Sequence, residues 1–595
     1  MTETLASGSP LIPRREVDFL LYDWLGLDGL LGEPRFLHLG RDAVDAVLAL
    51  SEQVAAETFL PHYKLADQYE PRLSSRGVEV LPEMGAALRN YAQLGLFAAG
   101  FPERLGGLDL PHLVVSASFA QFAAANVATA AYPMLTVANA RLIVNFGSPA
   151  QIESFARPQI EGRWFGTMCL SEPQAGSSLA DVRTRAAEAG ADQFGARYRL
   201  TGHKMWISGG DQNVSDNIVH LVLAKIPAED GSLPAGSKAL SLFIVPKILP
   251  DGSSNDIAVA GLNHKMGYRG TVNCLLNFGE KDGALGWRVG ECGQGLRQMF
   301  QMMNEARIGV GIGAAALGYR GFRQALGYAQ ERIQGRLTGA GETKPVAIIN
   351  HPDVKRMLLT QKAYAEGALA LCLYCARLVD ESAEPENAAL LALLTPVAKT
   401  WSSEYGLAAN DLAIQIHGGY GYTRDFDVEQ LYRDNRLNSI HEGTTGIQAL
   451  DLLGRKLLHD GESALTVLAR RVVACCDRAA TDDALGDCSS RVLSAWTHLA
   501  ATVDELRRVP IASVLPHASC FLAAFGHVIV AWLWLEQAMA ARRRPIDDGV
   551  DRDFLNGKVR ACRFFIECEL PRVEAWLNIV DSRSNIAAAT SVAEF

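Results

Sequence analysis

The chain has no excess of positive charge: 56 lysines and arginines stand against 66 aspartates and glutamates, a net charge of −10. A protein that tracks a nucleic-acid backbone needs a basic face to displace counterions, so no nucleic-acid partner is expected. The opening residues MTETLASGSPLIPRREVD lack the apolar stretch of a secretory signal and mix acids with bases, unlike a transit peptide. The 11 cysteines are odd in number and scattered, which fits reduced thiols and a cytoplasmic location better than a disulfide framework. Cys372 and Cys375 form a C-x-x-C inside the helical run AEGALALCLYCARLVD, with no second pair at zinc spacing. A turn of buried helix is expected there, and no metal site.

The common catalytic fingerprints are missing as well. There is no G-x-x-x-x-G-K-[ST] loop and no G-x-S-x-G, and His441-Glu442 is not followed by a histidine at zincin spacing. Gly311, Gly313 and Ala316 spell G-x-G-x-x-A, but within a helical pattern and without a preceding strand, which reads as close helix packing. A nicotinamide enzyme of the usual kind and a serine hydrolase are thus unsupported. Long apolar runs are scarce. Ala518 to Leu535 has Ser519 and His527 as its clearly polar members and sits at the low edge of membrane-spanning length. The central helix of a bundle is the expected reading, with a peripheral membrane contact as the remaining one.

What is present is ample apolar material: 595 residues, 49% of them hydrophobic, enough for roughly four domain-sized units. Residues 1–160 read as an N-terminal helical domain, with three-and-four spacing over Ala43–Thr58 and Leu81–Leu94 and an Ala-rich helix over Leu113–Val137. Residues 161–290 read as a compact antiparallel β domain, from runs at Arg197–Gly202, Met205–Ser208, Ile218–Lys225, Ala239–Pro246, Ile257–Leu262 and Thr271–Phe278. Helical periodicity returns over 291–460, a four-helix-bundle-like domain, and continues over 461–595 as an extra helical C-terminal domain. The fold class is therefore α+β, mostly α.

Three segments stand out. In CLSEPQAGSS, Cys169–Ser178, small and hydroxyl-bearing residues around a proline turn let backbone N–H groups approach a polar ligand. In QIHGGYGYT, Gln415–Thr423, a helix ends at Gly418 and Gly419 and exposes its terminus. In LNSIHEGTTGIQALDLLGRK, Leu437–Lys456, Thr444 or Thr445 can cap a helix running from Gly446, and Glu442 projects from the loop before it. Each alone reads as an ordinary turn, helix stop or surface charge.

Together with K-M-W-I-S (Lys204–Ser208) and E-R-x-Q (Glu331–Gln334), these motifs occur in an order that resembles the acyl-CoA dehydrogenases, over about residues 40 to 458. The long helical tail further resembles that family's roughly 600-residue bacterial subgroup. The resemblance implies an FAD cofactor and α,β-dehydrogenation of an acyl-CoA thioester to the trans-2-enoyl-CoA in fatty-acid β-oxidation. It implies Glu442 as the base that takes the α-proton, with the β-hydride passing to flavin N5. It implies flavin contacts from Leu170, Ser171, Ser177, Trp206, Ser208 and Thr444. Arg332, Gln415 and Gly419 would reach FAD across a homodimer interface. Ser177, Asn304, Arg307 and Gly443 would serve the substrate, the backbone N–H of Glu442 would hold the thioester oxygen, and an electron-transfer flavoprotein would take the electrons.

Departures from the family pattern are R-I-Q-G-R after Glu331 and Gly446 where an acidic or amide residue is common. Some relatives place the base on another helix, at the position of Ala306. Glu305 is turned roughly 100° from it and reads as a salt-bridge or surface residue. An acyl-CoA or nitroalkane oxidase and a DNA-associated alkylation-response flavoprotein are the alternatives. A short thioether acyl group and a long fatty acyl chain both remain open.

Overall fold

The computed structural model describes residues 11–337, 344–459, 462–545 and 549–595. The opening ten residues and the expected domain boundary at 460 and 461 lie outside the described residues. The chain forms two compact units, residues 50–111 with 125–309, and residues 1–49 with 112–124 and 310–595. Each draws on more than one of the four sequence segments.

The unit built on residues 50–309 is organised by a strand of 14 residues, Gly195–Ser208. Its first half lies between Arg185–Asp192 and Ala284–Val289, both antiparallel to it. Ala284–Val289 continues to Leu240–Pro246 and then Asn217–Lys225, which meets Arg185–Asp192 at the single bridge Arg185 to Lys225, closing five strands on themselves. The second half pairs with Asn273–Phe278, and that strand with Ile257–Leu262. Every residue of Asn217–Lys225 and Leu240–Pro246 is buried, as continuous apolar runs covered on both faces must be.

The sheet differs from the antiparallel expectation. Trp164–Cys169 runs parallel to Asn217–Lys225 along its length. The expected runs Arg197–Gly202 and Met205–Ser208 are one strand, bent where the register shifts between Lys204 and Ile207. A small hairpin, Arg72–Ser74 with Gly77–Glu79, interrupts the stretch read as all helical.

The other unit is helical. Its principal helices are the Val310–Glu331 part of Gly295–Glu331, then Pro352–Asp380, Pro385–His417, Glu462–Ala480, Gly486–Leu506, Ala518–Arg543 and Gly549–Phe564. Glycines set how closely they approach: a Cβ on Gly406 would stand 2.5 Å from the Ala314 carbonyl, and one on Gly311 would stand 2.7 Å from that of Ala398. The G-x-G-x-x-A pattern is thus helix packing. Cys372 and Cys375 are buried on the helix Pro352–Asp380.

The apolar run at 518–535 lies inside the helix Ala518–Arg543 and is packed almost throughout. Trp534 Nε1 donates to the Ala363 carbonyl at 3.1 Å, and Trp401 Nε1 donates to His527 Nδ1 at 3.1 Å. Burial, with Arg572 nearby, pushes His527 down to about 3, so it stays neutral and can accept that bond. Both ends of the chain meet in this unit: the buried Lys558 ammonium binds Glu16 and, at 2.9 Å, Glu366, while Lys362 also pairs with Glu366.

Candidate active site

Glu442 sits in the short loop between the turn Leu437–Ser439 and the helix Thr445–Leu450. Its φ is +53°, a left-handed conformation that costs a residue with a side chain about 1–2 kcal/mol. Gly443 follows at φ +95°, and a Cβ there would come within 2.5 Å of Gln448 Nε2. The two carbonyls of this pair are both held: Gln448 Nε2 donates to Glu442 O at 2.9 Å, and Lys399 Nζ to Gly443 O at 2.7 Å. The helix begins at Thr445, one residue before the expected start. Thr444 occupies the N-cap position without a side-chain cap bond, and Thr445 Oγ1 donates to Glu404 Oε1 at 2.6 Å instead.

A relay of buried amides supports the loop from below. His441 Nε2 bonds Asn438 Oδ1 at 3.0 Å, Asn438 Nδ2 donates to Asn435 Oδ1 at 3.0 Å, and Asn435 Nδ2 to Asn410 Oδ1 at 2.7 Å. Asn410 Nδ2 ends the relay on the Leu317 carbonyl at 2.9 Å. Burial first, and the Lys399 charge second, push His441 down to about 3, so it is a neutral donor to Asn438.

Elsewhere in the same unit, Arg332 and Gly419 line one cleft of about 680 Å³ together with Tyr328, Gln334, His417 and Tyr420. Tyr328 stacks on His417 with ring centroids 4.3 Å apart, and Arg332 lies 5.9 Å from the Tyr420 ring. Gly418 ends the helix Pro385–His417 at φ +61°, and a Cβ on Gly418 or Gly419 would meet nothing within 4 Å, so the backbone there is open to a ligand. Gln415, expected beside Gly419, is exposed and does not line the cleft.

On the other unit, Trp206 is 60% exposed at φ +65°, where the strand Gly195–Ser208 bends and turns the indole outward. Two residues earlier Lys204 points inward and is fully buried. Its Nζ donates to Leu170 O at 3.0 Å and to Glu172 Oε1 at 3.0 Å, and Met205 N donates to Ser171 O at 3.0 Å. Burial works to raise the Glu172 pKa, but the Lys204 charge and bonds from Thr184 and the Arg183 N–H override it and hold the carboxyl at about 2. The segments C-L-S-E-P and K-M-W-I-S are therefore fastened to each other. Ser208 Oγ accepts from Asn273 Nδ2 at 3.3 Å, and Ser177 is exposed. Asn304 is exposed, Arg307 is buried, and a long bond of 3.4 Å joins them. Glu305 pairs with Arg141 at 3.2 Å, as its salt-bridge reading expects.

Family models match almost the whole chain. The acyl-CoA dehydrogenase N-terminal domain matches residues 48–163, the middle domain 167–280 and the C-terminal domain 293–458. An acetyl-CoA dehydrogenase C-terminal-like model matches residues 468–591. The chain belongs to the acyl-CoA dehydrogenase family. Among curated members it is 34% identical to the 3-methylmercaptopropionyl-CoA dehydrogenase of Ruegeria pomeroyi, over 88% of this chain and 90% of that protein. It is also 34% identical to the broad-specificity linear acyl-CoA dehydrogenase FadE5 of Mycobacterium tuberculosis, over 96% and 97%. In fold it is similar to Caenorhabditis elegans ACDH-11 in complex with C11-CoA, with a TM-score of 0.78 at 20% identity, covering 100% of this chain and 98% of that one. It is also similar to an acyl-CoA dehydrogenase complexed with FAD from Bacillus anthracis, with a TM-score of 0.69 at 20% identity over 96% and 92%. This acyl-CoA dehydrogenase is an oxidoreductase whose family cofactor is FAD.

Several residues that fasten the Glu442 loop and the C-L-S-E-P segment in place carry no clear signal in the sequence. Lys399 is a lone cation in the apolar run LLALLTPVAKTW, a signal visible only as an oddity. Gln448 and Glu172 were inside quoted motifs but carried no assigned role.

Proposed function

We propose that the chain dehydrogenates a saturated acyl-CoA thioester at the α,β bond, with Glu442 removing the α-proton. The observation that carries this reading is the fixed Glu442 loop, in which the carboxylate-bearing residue adopts φ +53° and its own carbonyl and the next are both anchored. An α-proton is acidified by the adjacent thioester, and a carboxylate held in place abstracts it without a diffusional step. The backbone N–H of Glu442 lies beside the N-terminus of the helix Thr445–Leu450. It would donate to the thioester oxygen as negative charge develops there, with the helix terminus adding favourable potential.

The residues present fit FAD. The cleft around Arg332 offers a cation, open glycine backbone and stacked rings, which suit a pyrophosphate and an adenosine. Trp206 presents an indole face for a planar ring. When bound, FAD supplies the acceptor for the β-hydride. Leu170, Ser171, Ser177, Trp206, Ser208 and Thr444 would hold the cofactor. Arg332 and Gly419 would hold that of a second copy, with Gln415 nearer the rim. The exposed Ile333, Tyr420 and Tyr422 near Arg332 support a homodimer. Asn304 and Arg307 would serve the CoA side, and an electron-transfer flavoprotein would reoxidise the enzyme.

The test is anaerobic mixing of the FAD-loaded protein with butanoyl-, octanoyl-, hexadecanoyl- and 3-methylmercaptopropionyl-CoA, following the visible flavin absorbance. Bleaching by one class, lost in Glu442→Gln while FAD stays bound, is the expected result. A flavin that none of the four bleaches would overturn the proposal.

A further inference from the structure

We infer that Lys399 and Gln448 act as positioning residues, a two-point clamp that keeps Glu442 in its left-handed conformation; the inference rests on Glu442 being the base.

Three features lead to it. First, a residue with a side chain persists at φ +53° only when its surroundings over-determine it. The carbonyls of Glu442 and of Gly443, itself at φ +95°, fix the path of the chain immediately after that residue. Each has its own side-chain donor, Gln448 Nε2 at 2.9 Å and Lys399 Nζ at 2.7 Å. Second, these donors come from different elements, the helix Thr445–Leu450 and the helix Pro385–His417, so the loop is tied both to its own helix and to the bundle. Lys399 does not act alone on its helix. Ser403 Oγ, one turn on, lies between two carbonyls, Lys399 O at 2.6 Å and Asn438 O at 3.0 Å, and Glu404 accepts from Thr445 at 2.6 Å. One face of the Pro385–His417 helix thereby grips the loop before and after Glu442. Third, Lys399 is fully buried, and taking an ammonium out of water costs several kcal/mol. A neutral amide would satisfy a carbonyl more cheaply. A cation makes a stronger bond to the carbonyl than a neutral donor does, and it sets a positive charge beside a loop that carries a carboxylate and a neutral imidazole.

The expected consequence is specific. Without the clamp, Glu442 relaxes toward ordinary φ values and its carboxylate leaves the productive position, where a displacement of about 1 Å costs on the order of a hundredfold in rate. The cleft around Arg332 and Gly419 lies elsewhere in the unit, so FAD content is expected to hold while the rate falls.

The experiment measures anaerobic flavin reduction with octanoyl-CoA, or whichever of the four thioesters bleaches fastest, in the FAD-loaded full chain. Lys399→Met is expected to lower the saturating rate at least about tenfold, with the FAD content unchanged. In a Glu442→Gln background it should lower the residual rate no further. A saturating rate within about twofold of the unmodified enzyme overturns the inference, as does a fall of the same size in the Glu442→Gln background. If Lys399→Met does not yield folded flavoprotein, Gln448→Leu is read by the same criteria. Full activity in Glu442→Gln itself would instead remove the base assignment, a failure distinct from that of the clamp.

Discussion

At the scale of single residues, the site depends on backbone positions that tolerate few side chains. Gly443 is the sharpest case, with φ +95° and Gln448 Nε2 only 2.5 Å from where a Cβ would stand. Gly443→Ala should therefore displace the Gln448 amide, break its bond to Glu442 O and lower flavin reduction at least about tenfold. Stability should change by only about 1–3 kcal/mol; stopped-flow reduction and denaturant unfolding on the same variant separate the two. The loop that carries Glu442 stands out in the sequence because E-G-T-T-G-I-Q keeps type and spacing together. Lys399 does not, because a lysine's burial is a property of the helices around it, and no local pattern encodes that.

Among the secondary-structure elements, the buried ion pair of Lys204 and Glu172 does for the C-L-S-E-P and K-M-W-I-S segments what Lys399 does for the Glu442 loop. Lys204→Met would leave the Glu172 carboxylate buried against Thr184 and the Arg183 N–H without its cation. The expected loss is about 3–5 kcal/mol, read by denaturant unfolding. A loss below about 1 kcal/mol would mean that the hydrogen bonds to Glu172 suffice alone. The strands also show how far periodicity carries. Ile257–Leu262 was found with its bounds intact. Arg185–Asp192, spelling RAAEAGAD, was missed because it has little intrinsic strand preference and is held by pairing with Gly195–Ser208. Trp164–Cys169 was missed because a strand buried along most of its length shows no alternation. Where a break is expected between Gly202 and Met205 the strand runs on, and a bulge just beyond, between Lys204 and Ile207, displays Trp206 outward and Lys204 inward on one continuous strand.

For the molecule as a whole, three histidines set much of the response to acid. Burial pushes His220, His441 and His527 each down to about 3. Unfolded, each would titrate near about 6.5. The unfolded chain therefore takes up protons as pH falls below about 6.5, while the native chain does not until about 3. Their contribution is complete above that upper value and is lost across the window, at about 1.4 kcal/mol per pH unit for each histidine. Denaturant midpoints measured through that window should fall accordingly. His527→Phe should remove about a third of this part of the slope even though it removes the acceptor of Trp401 Nε1.

The chain order of the two units carries a consequence for how the protein is made. The unit of residues 50–111 and 125–309 has all its parts once residue 309 is synthesised. The helical unit cannot close until Lys558 meets Glu16, 542 residues away in sequence. At roughly 5–20 residues per second that interval is on the order of a minute. During it the apolar Phe19, Leu20 and Leu21, buried in the finished protein, have no final place to pack. Ribosome-bound chains halted after residue 309 should already show a protease-resistant barrel, whereas the N-terminal segment should gain protection only when the last helices emerge. The growing chain therefore carries uncovered apolar residues at Phe19, Leu20 and Leu21 until Phe554, which Phe19 meets edge-on, has been made.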